Sequence, residues 1–356
     1  MRCRRKAGGE AFVAEALCLR VVLMLSAALL LPACAGVTTE VPAGPAVVAA
    51  PAKPAEEPLP LPNREGTLKF LAFGDFGTGE PDQYKLAEQM VALHARFPFE
   101  MAILLGDNIY GSQRPQDFRT KFEIPYKPLL DAGVKFYASL GNHDAREQRD
   151  QKYFNMESNL YYTFKAPKGG VRFFALESTY MSEEQVKWVE EQLKGSTDPW
   201  KIAFFHHPLY SSARGHGSTL DLRQTLAPLF IRYNVSVVFS GHDHVYERLK
   251  PQNGVAYFVV GSAGKLRPND LDRRTPIFAA GFDTDLAFLA AEIVDDKMHF
   301  QTISRTGKIV DSGIVIRRQE TAAGGISQPA QAPASAWPAP NPRQTPAGAA
   351  GQSSRR

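Results

Sequence analysis

Short apolar runs that close on polar clusters recur along the middle of the chain. Residues 67–75 (TLKFLAFGD), 101–107 (MAILLGD), 134–144 (VKFYASLGNHD), 200–207 (WKIAFFHH) and 235–244 (VSVVFSGHDH) share this form. Their β-branched and aromatic content marks buried strands, and the polar residues at their C-terminal ends are where function would gather. Between these runs, residues 81–95, 116–131, 182–194 and 219–233 have helical spacing and charged faces. Strands and helices therefore alternate as in an α/β layered domain. Residues 255–261, 286–294, 297–304 and 308–316 read as strands in succession and suggest a second sheet packed on the first. The chain shows no internal repeat.

The flanks differ in character. Residues 35–62 are dominated by Ala, Pro and Val, which favours an extended spacer over a packed element. Residues 319–356 are rich in Ala, Pro, Gln, Gly and Ser, with almost no large apolar residue after Ile326 apart from Trp337. Such a segment cannot offset its ordering entropy by burial and is expected to be disordered. A folded domain over residues 63–318 is left between them. Residues 1–34 carry Arg2, Arg4, Arg5, Lys6 and Arg20, then the apolar run VVLMLSAALLL over residues 21–31, then small residues around Cys34. This is the layout of an export signal, and the run is too short to span a bilayer comfortably. Leu31-Pro32-Ala33-Cys34 resembles a bacterial lipobox, which implies a lipid-anchored protein of the cell envelope facing the periplasm or the exterior. A plain secretory signal with an incidental Cys34 is the alternative, and both place the domain outside the cytoplasm.

Composition narrows the classes further. An apolar share of 44% is enough for a sizeable core and excludes disorder throughout. The formal charge of +4 is too small and too evenly spread for a nucleic-acid binder, so none is expected as a partner. Cys3, Cys18 and Cys34 all lie in the first 34 residues, so the domain has no thiol for a disulfide and must stand on packing and bound metal.

The polar clusters supply Asp75, Asp107, Asn142, His206, His242 and His244. In an open α/β sheet, ligands gather where strands end, so these distant residues can converge. Carboxylate, amide oxygen and imidazole together suit Fe, Mn or Zn, and the lack of thiolate argues against a structural zinc knot. In order, the clusters read Asp-x-Gly (Asp75, Gly77), Gly-Asp-x-x-Tyr (Gly106, Asp107, Tyr110), Gly-Asn-His-Asp (residues 141–144), His-x-Pro (His206, Pro208) and Gly-His-x-His (residues 241–244). This series resembles the calcineurin-like metallophosphoesterases and, more narrowly, the purple acid phosphatases of the tartrate-resistant type. The broader superfamily usually carries Asp-x-His at the first motif, where this chain has Gly77. The tyrosine of the second motif, here Tyr110, replaces the missing ligand in purple acid phosphatases.

The resemblance implies a four-layer α/β sandwich of two mixed sheets flanked by helices. It implies that Asp75, Asp107, Tyr110 and His244 bind ferric iron. Asp107 would bridge to a second, divalent metal (Fe, Zn or Mn) held also by Asn142, His206 and His242. The activity it implies is hydrolysis of small phosphate monoesters by hydroxide at the dinuclear centre. A phosphodiesterase or nucleotidase on the same scaffold is the runner-up. A metal-loaded surface protein without turnover is disfavoured, because every ligand position is intact. His143 is placed by its motif to face the phosphate or leaving group. His216, ten residues past His206, matches a second substrate-side histidine. Either could act as general acid for the departing alkoxide.

Other residues draw plainer readings. Strand alternation turns His207 away from His206. His94 and His299 read as packing or surface residues. Tyr246-Glu247-Arg248 resembles the plant enzymes of the family and points to a buried ion pair under the site. Residues 261–264 (GSAG) lack a P-loop ending and read as a tight turn near the metals. Lys265, Arg267, Arg273 and Arg274 form a solvated loop or, less favoured, a rim that attracts anionic substrates.

Overall fold

A computed structural model describes residues 60–319. The export signal, Cys34, most of the 35–62 spacer and the tail past residue 319 lie outside the described residues. In chain order the first half contains β1 (Leu68–Phe73), α1 (Pro81–His94), β2 (Met101–Leu105), α2 (Pro115–Phe118), a π-helical turn (Arg119–Glu123), α3 (Lys127–Asp131), β3 (Lys135–Ser139), β4 (Tyr162–Lys165) and β5 (Val171–Ala175). There follow α4 (Glu183–Gly195), β6 (Trp200–Phe204), α5 (Leu220–Arg232), β7 (Val237–Ser240), β8 (Tyr246–Leu249), β9 (Ala256–Val260), β10 (Phe278–Phe282), β11 (Ala287–Val294), β12 (Lys297–Ser304) and β13 (Ile309–Ile316).

The strands form two mixed sheets, ordered β13-β12-β11-β1-β2-β3 and β10-β8-β9-β7-β6-β5-β4. In each, the central strands that lead into polar clusters run parallel: β1 with β2 and β2 with β3, then β5 with β6 and β6 with β7. β1, β2 and β6 are buried on both faces, which is why they read as continuous apolar runs.

Side-chain alternation divides the core into layers. Leu68, Phe70 and Ala72 of β1 pack between the sheets, where the Phe70 ring meets Phe173 at 5.5 Å and Phe239 at 6.1 Å. Leu71 and Phe73 face outward onto Leu86 and Met90 of α1. On the other side, Phe174, Ala203 and Val238 pack against Val189 and Leu193 of α4 and Leu226 and Phe230 of α5. The order helix, sheet, sheet, helix is the four-layer sandwich expected. Helix starts follow local chemistry: Pro81 occupies the first turn of α1, and the Ser182 hydroxyl caps α4 by accepting from the Gln185 amide. Each fully buried phenylalanine such as Phe70 contributes about 2–3 kcal/mol by leaving water.

One expectation about the sheets is corrected. The late strands β11, β12 and β13 do not make a second sheet. They extend the first one, with β11 pairing antiparallel along Leu68–Ala72 on the edge of β1 that β2 leaves open. The second sheet is built from the middle of the chain and includes β4, β5, β8 and β10, which the apolar pattern did not reveal.

Candidate metal centre

Asp75 follows β1, Asp107 follows β2, Asn142 follows β3, His206 follows β6, and His242 and His244 follow β7. All lie past the C-terminal ends of parallel strands, two layers contributing to one edge. Asp75, Asp107 and His242 have φ of 57°, 50° and 70°, the left-handed region that non-glycine residues seldom adopt. The turns are tied to each other through the backbone: Asp75 N–H donates to Gly106 O at 3.0 Å and Gly241 N–H to His206 O at 2.9 Å. Gly77 lies at the closest approach. A Cβ there would fall 1.8 Å from the Asn108 carbonyl oxygen, so no side chain fits, and Tyr110 N–H donates to Gly77 O at 2.9 Å. The residue that offers no ligand therefore also brings the loop carrying Tyr110 into place.

The side-chain donors form two sets. In the first, the Tyr110 hydroxyl is 3.1 Å from Asp75 Oδ1 and 3.2 Å from His244 Nε2, and His244 Nε2 is 3.5 Å from Asp75 Oδ1. In the second, His206 Nε2 is 3.1 Å from Asn142 Oδ1, 3.1 Å from His242 Nδ1 and 3.4 Å from Asp107 Oδ1. Bonds of ordinary metal–ligand length put neighbouring donors of one ion roughly 2.8–3.6 Å apart, and all six separations fall in that range. Asp107 reaches both sets, because its carboxylate also lies within 4.8 Å of the Asp75 and His244 donors. Asp75, Asp107 and His206 are buried, whereas Asn142 and His143 are exposed, so the centre opens to solvent on that side.

Hydrogen-bond chemistry shows that the donor set fits a cation. His206 Nδ1 lies 2.8 Å from the Leu105 carbonyl oxygen, which can only accept. The ring proton is fixed there, and the Nε2 lone pair points at the amide oxygen of Asn142 and the carboxylate of Asp107. Acceptors that converge in this way are favourable only around a positive ion. Titration preferences agree. Burial, with His206 next, drives His242 far below the usual imidazole range and keeps it neutral. Burial raises the Asp75 carboxyl well above its ordinary value; His206 opposes that and Asp107 adds to it. Burial, then Asp75 and Asp107, push the Tyr110 phenol far above its usual range, so without metal its O–H stays protonated and donates to Asp75.

A family profile described as calcineurin-like phosphoesterase matches residues 68–246, half of the chain, and spans every strand end that carries these donors. The chain belongs to the calcineurin-like phosphoesterases. It is a metallophosphoesterase, a hydrolase whose family works at a dinuclear metal site. The tartrate-resistant acid phosphatase type 5 of Oryctolagus cuniculus is 27% identical to it over 262 residues, 61% of this chain and 80% of that protein. Among solved structures, a purple acid phosphatase from yellow lupin seeds superposes with a TM-score of 0.59 at 19% identity, covering 72% of this chain and 55% of the lupin chain. An anchor protein of the inner membrane complex of Plasmodium reaches a TM-score of 0.63 at 18% identity, covering 72% and 90%. These two likenesses show the shared fold.

The remaining residues of this phosphoesterase fall into place around the donors. His143 is exposed, its ring 5.0 Å from that of Tyr110, and its backbone N–H donates to Asp107 Oδ1 at 3.0 Å. The His216 ring lies 4.2 Å from that of His242, and its Nε2 accepts from Arg267 Nη2 at 3.3 Å. Burial, with Arg267 also contributing against the pull of Asp243, lowers its pKa. His207 departs from expectation. β6 ends at Phe204, so strand alternation no longer governs residues 206 and 207, and His207 packs 4.3 Å from His242 with Nδ1 held 2.9 Å from Ser178 Oγ. An ion pair is present at Tyr246-Glu247-Arg248, half-buried and with its acid from β13: Arg248 and the Tyr246 hydroxyl both engage Asp311, while buried Glu247 accepts from Ser211 and Ser212. The turn at 261–264 does pass beside the centre, with Ala263 N–H donating to Gly74 O.

Asp144 was not singled out by sequence. Its carboxylate accepts from the backbone amides of Asn108, Ile109 and Gly141 and from Gln148 Nε2, clamping the loop of Tyr110 to the loop of Asn142. The acidic residue closing Gly-Asn-His-Asp was the signal available.

Proposed function

We propose that this phosphoesterase releases phosphate from small monoesters at an iron-containing pair, with Fe(III) on Asp75, Asp107, Tyr110 and His244. The divalent partner (Fe, Zn or Mn) would sit on Asp107, Asn142, His206 and His242. The observation that carries the reading is the Tyr110 hydroxyl facing Asp75 and His244 at 3.1 and 3.2 Å, beside a Gly77 that has no room for the histidine of the wider superfamily. A phenolate is a hard anionic donor suited to ferric iron. The relatives named as acid phosphatases support the same choice.

When bound, such a pair supplies Lewis acidity that polarises a phosphoryl oxygen and makes hydroxide available from water near or below neutral pH. The chain's own residues do the rest. Asp107, anchored by the His143 amide, fixes the spacing of the two donor sets. His206, with its proton committed to Leu105, presents only its lone pair. His143, exposed above Tyr110, holds a proton for the departing alkoxide, a role worth about 10² to 10⁴ in rate. The proposal extends to placement: residues 1–34 would export the chain and Cys34 would anchor it by lipid, so the site would meet small phosphorylated molecules outside the cytoplasm and no nucleic acid.

The test uses the full-length protein loaded with iron and zinc, and compares p-nitrophenyl phosphate with its bis-ester between about pH 4 and pH 9. Preference for the monoester with an acidic optimum is the expected result. Preference for the diester would instead establish a phosphodiesterase, and protein holding two metals but turning over neither would overturn the proposal.

A further inference from the structure

The basic run after β9 divides in two. Arg273 is bound to Asp283 at 2.6 Å and Arg274 to Asp272 at 3.1 Å, so these two are held by their own carboxylates. Lys265 and Arg267 are arranged differently. Lys265 N–H donates to Asp75 O and Arg267 N–H to His244 O, which ties both backbones to metal-ligand residues. The Lys265 ammonium sits 5.0 Å from the centre of the Tyr110 ring and has no ion pair among the described residues. Arg267 offers Nη2 to His216, while its Nη1 is buried without a hydrogen-bond partner. That nitrogen packs against Gly215 and makes a long ion pair with Asp270 at 3.9 Å, while the side chain as a whole stays about a third exposed.

We infer that Lys265 and Arg267 form an anion subsite beside the metal centre, selecting phosphoesters or anhydrides whose leaving group carries a second phosphate. The inference rests on the proposed hydrolysis and adds a substrate class to it. The guanidinium is not placed for the transferred phosphoryl group. It lies one ring further out, behind His216, which stacks between it and the donor His242. A phosphoryl group over the donors would have its charge met by the metal pair, and Arg267 would reach the next anion along the substrate. Guanidinium recognises phosphate by paired donors, and the Arg267 side chain is about a third exposed, within reach of an anion held beyond His216.

The experiment compares wild type with Lys265→Ala, Arg267→Ala and the control Arg273→Ala. One readout is the ratio of kcat/KM for fructose 1,6-bisphosphate and for inorganic pyrophosphate to that for p-nitrophenyl phosphate. The other is the ratio of Kd for methylenediphosphonate to that for methylphosphonate, measured by calorimetry, which needs no turnover. Arg267→Ala should reduce both preferences about tenfold, Lys265→Ala less, and Arg273→Ala not at all. The preference should also shrink as salt rises past about 0.15 M, because the cations are partly exposed. Unchanged ratios in Arg267→Ala, or equal losses on all substrates with no change in binding preference, would overturn the subsite. A protein that binds the bisphosphonate selectively through Arg267 yet hydrolyses no ester would keep the subsite and sink the proposed hydrolysis. Whether the bisphosphate or pyrophosphate shows the larger effect distinguishes a spaced second phosphate from an adjacent one.

Discussion

Gly77→Ala tests whether close packing of two loops, and not the tyrosine alone, makes the first metal site. The added Cβ would lie 1.8 Å from the Asn108 carbonyl oxygen and 2.8 Å from the Ile109 Cα, and contacts under 3.0 Å are not tolerated, so the loops must part by about 1 Å. Neither can yield easily. They leave adjacent buried strands, and the Asn108 and Ile109 amides are bound to Asp144 at 3.0 and 3.1 Å. Overpacking of this kind costs about 1–3 kcal/mol, and stretching the bond from Tyr110 N–H to Gly77 O about 1 kcal/mol more. For a domain of this size the sum lowers Tm by roughly 4–16 °C. A ligand displaced by about 1 Å should reduce kcat/KM by about 10²-fold. Thermal unfolding, iron and zinc content per chain, and p-nitrophenyl phosphate turnover read the three effects. Gly77→His should fail at least as badly, because it carries the same Cβ clash and adds the bulk of the ring. Wild-type metal content, turnover and Tm in Gly77→Ala would refute the reasoning.

Three further outcomes follow from other contacts. Tyr110→Phe keeps the ring but removes the hydroxyl at 3.1 and 3.2 Å from Asp75 and His244, so iron content and visible absorption should fall; if both persist, the purple acid phosphatase subtype is excluded. His143→Ala should leave metal content intact, since only its backbone touches Asp107, yet lower kcat about 10² to 10⁴-fold; a change under about threefold would move the proton donor elsewhere. Glu247 is pushed up to about 7 by burial, against bonds from Ser212 and Ser211 that favour its charge. Its folded pKa exceeds its ordinary value of 4.5, so its contribution to stability is complete below about pH 4.5 and is lost as pH rises through about 7. In metal-free protein, Glu247→Gln should therefore gain on wild type with rising pH, by up to about 3 kcal/mol above pH 8; parallel pH profiles for the two would count against it.

The donors were legible because each lies at the end of an apolar run, and the run itself fixes which edge of the sheet it reaches. Tyr110 was legible only through what Gly77 lacks. Sheet membership was not, because local periodicity says that β11 is a strand but not that its partner is β1, more than 200 residues earlier. β8 and β10 escaped notice for a related reason. β8 carries Glu247 and Arg248, whose charges are met by Ser212 and Asp311, and β10 is largely Ala and Gly, so neither shows an apolar alternation. His207 was misplaced because alternation was extended past the end of β6 at Phe204. The basic run could not be divided from sequence either, since only the fold reveals that Asp283 and Asp272 take Arg273 and Arg274 and leave Lys265 and Arg267 facing the centre.

Two kinds of buried acid at this edge show what the fold is built to hold. Asp144 is satisfied by protein alone: three backbone amides and the Gln148 side chain donate to it. Asp107, more deeply buried, accepts at Oδ1 from the His143 amide, faces the lone pair of His206 and has the Tyr110 hydroxyl beside it. Asp75 accepts from the His242 amide and the Tyr110 hydroxyl, and the nearby charge of Asp107 opposes its ionisation. Both Asp75 and Asp107, with His242, sit at positive φ, a conformation that costs about 1–3 kcal/mol each. A left-handed residue bends the chain sharply as it leaves the strand, so its side chain can project over the strand ends toward a shared point. Strain and unmet acceptors thus fall on the same residues, and a bound cation would relieve the second. Asp144 bears neither the strain nor the missing partners, which separates the clamp from the proposed ligands among acids that sequence alone leaves alike.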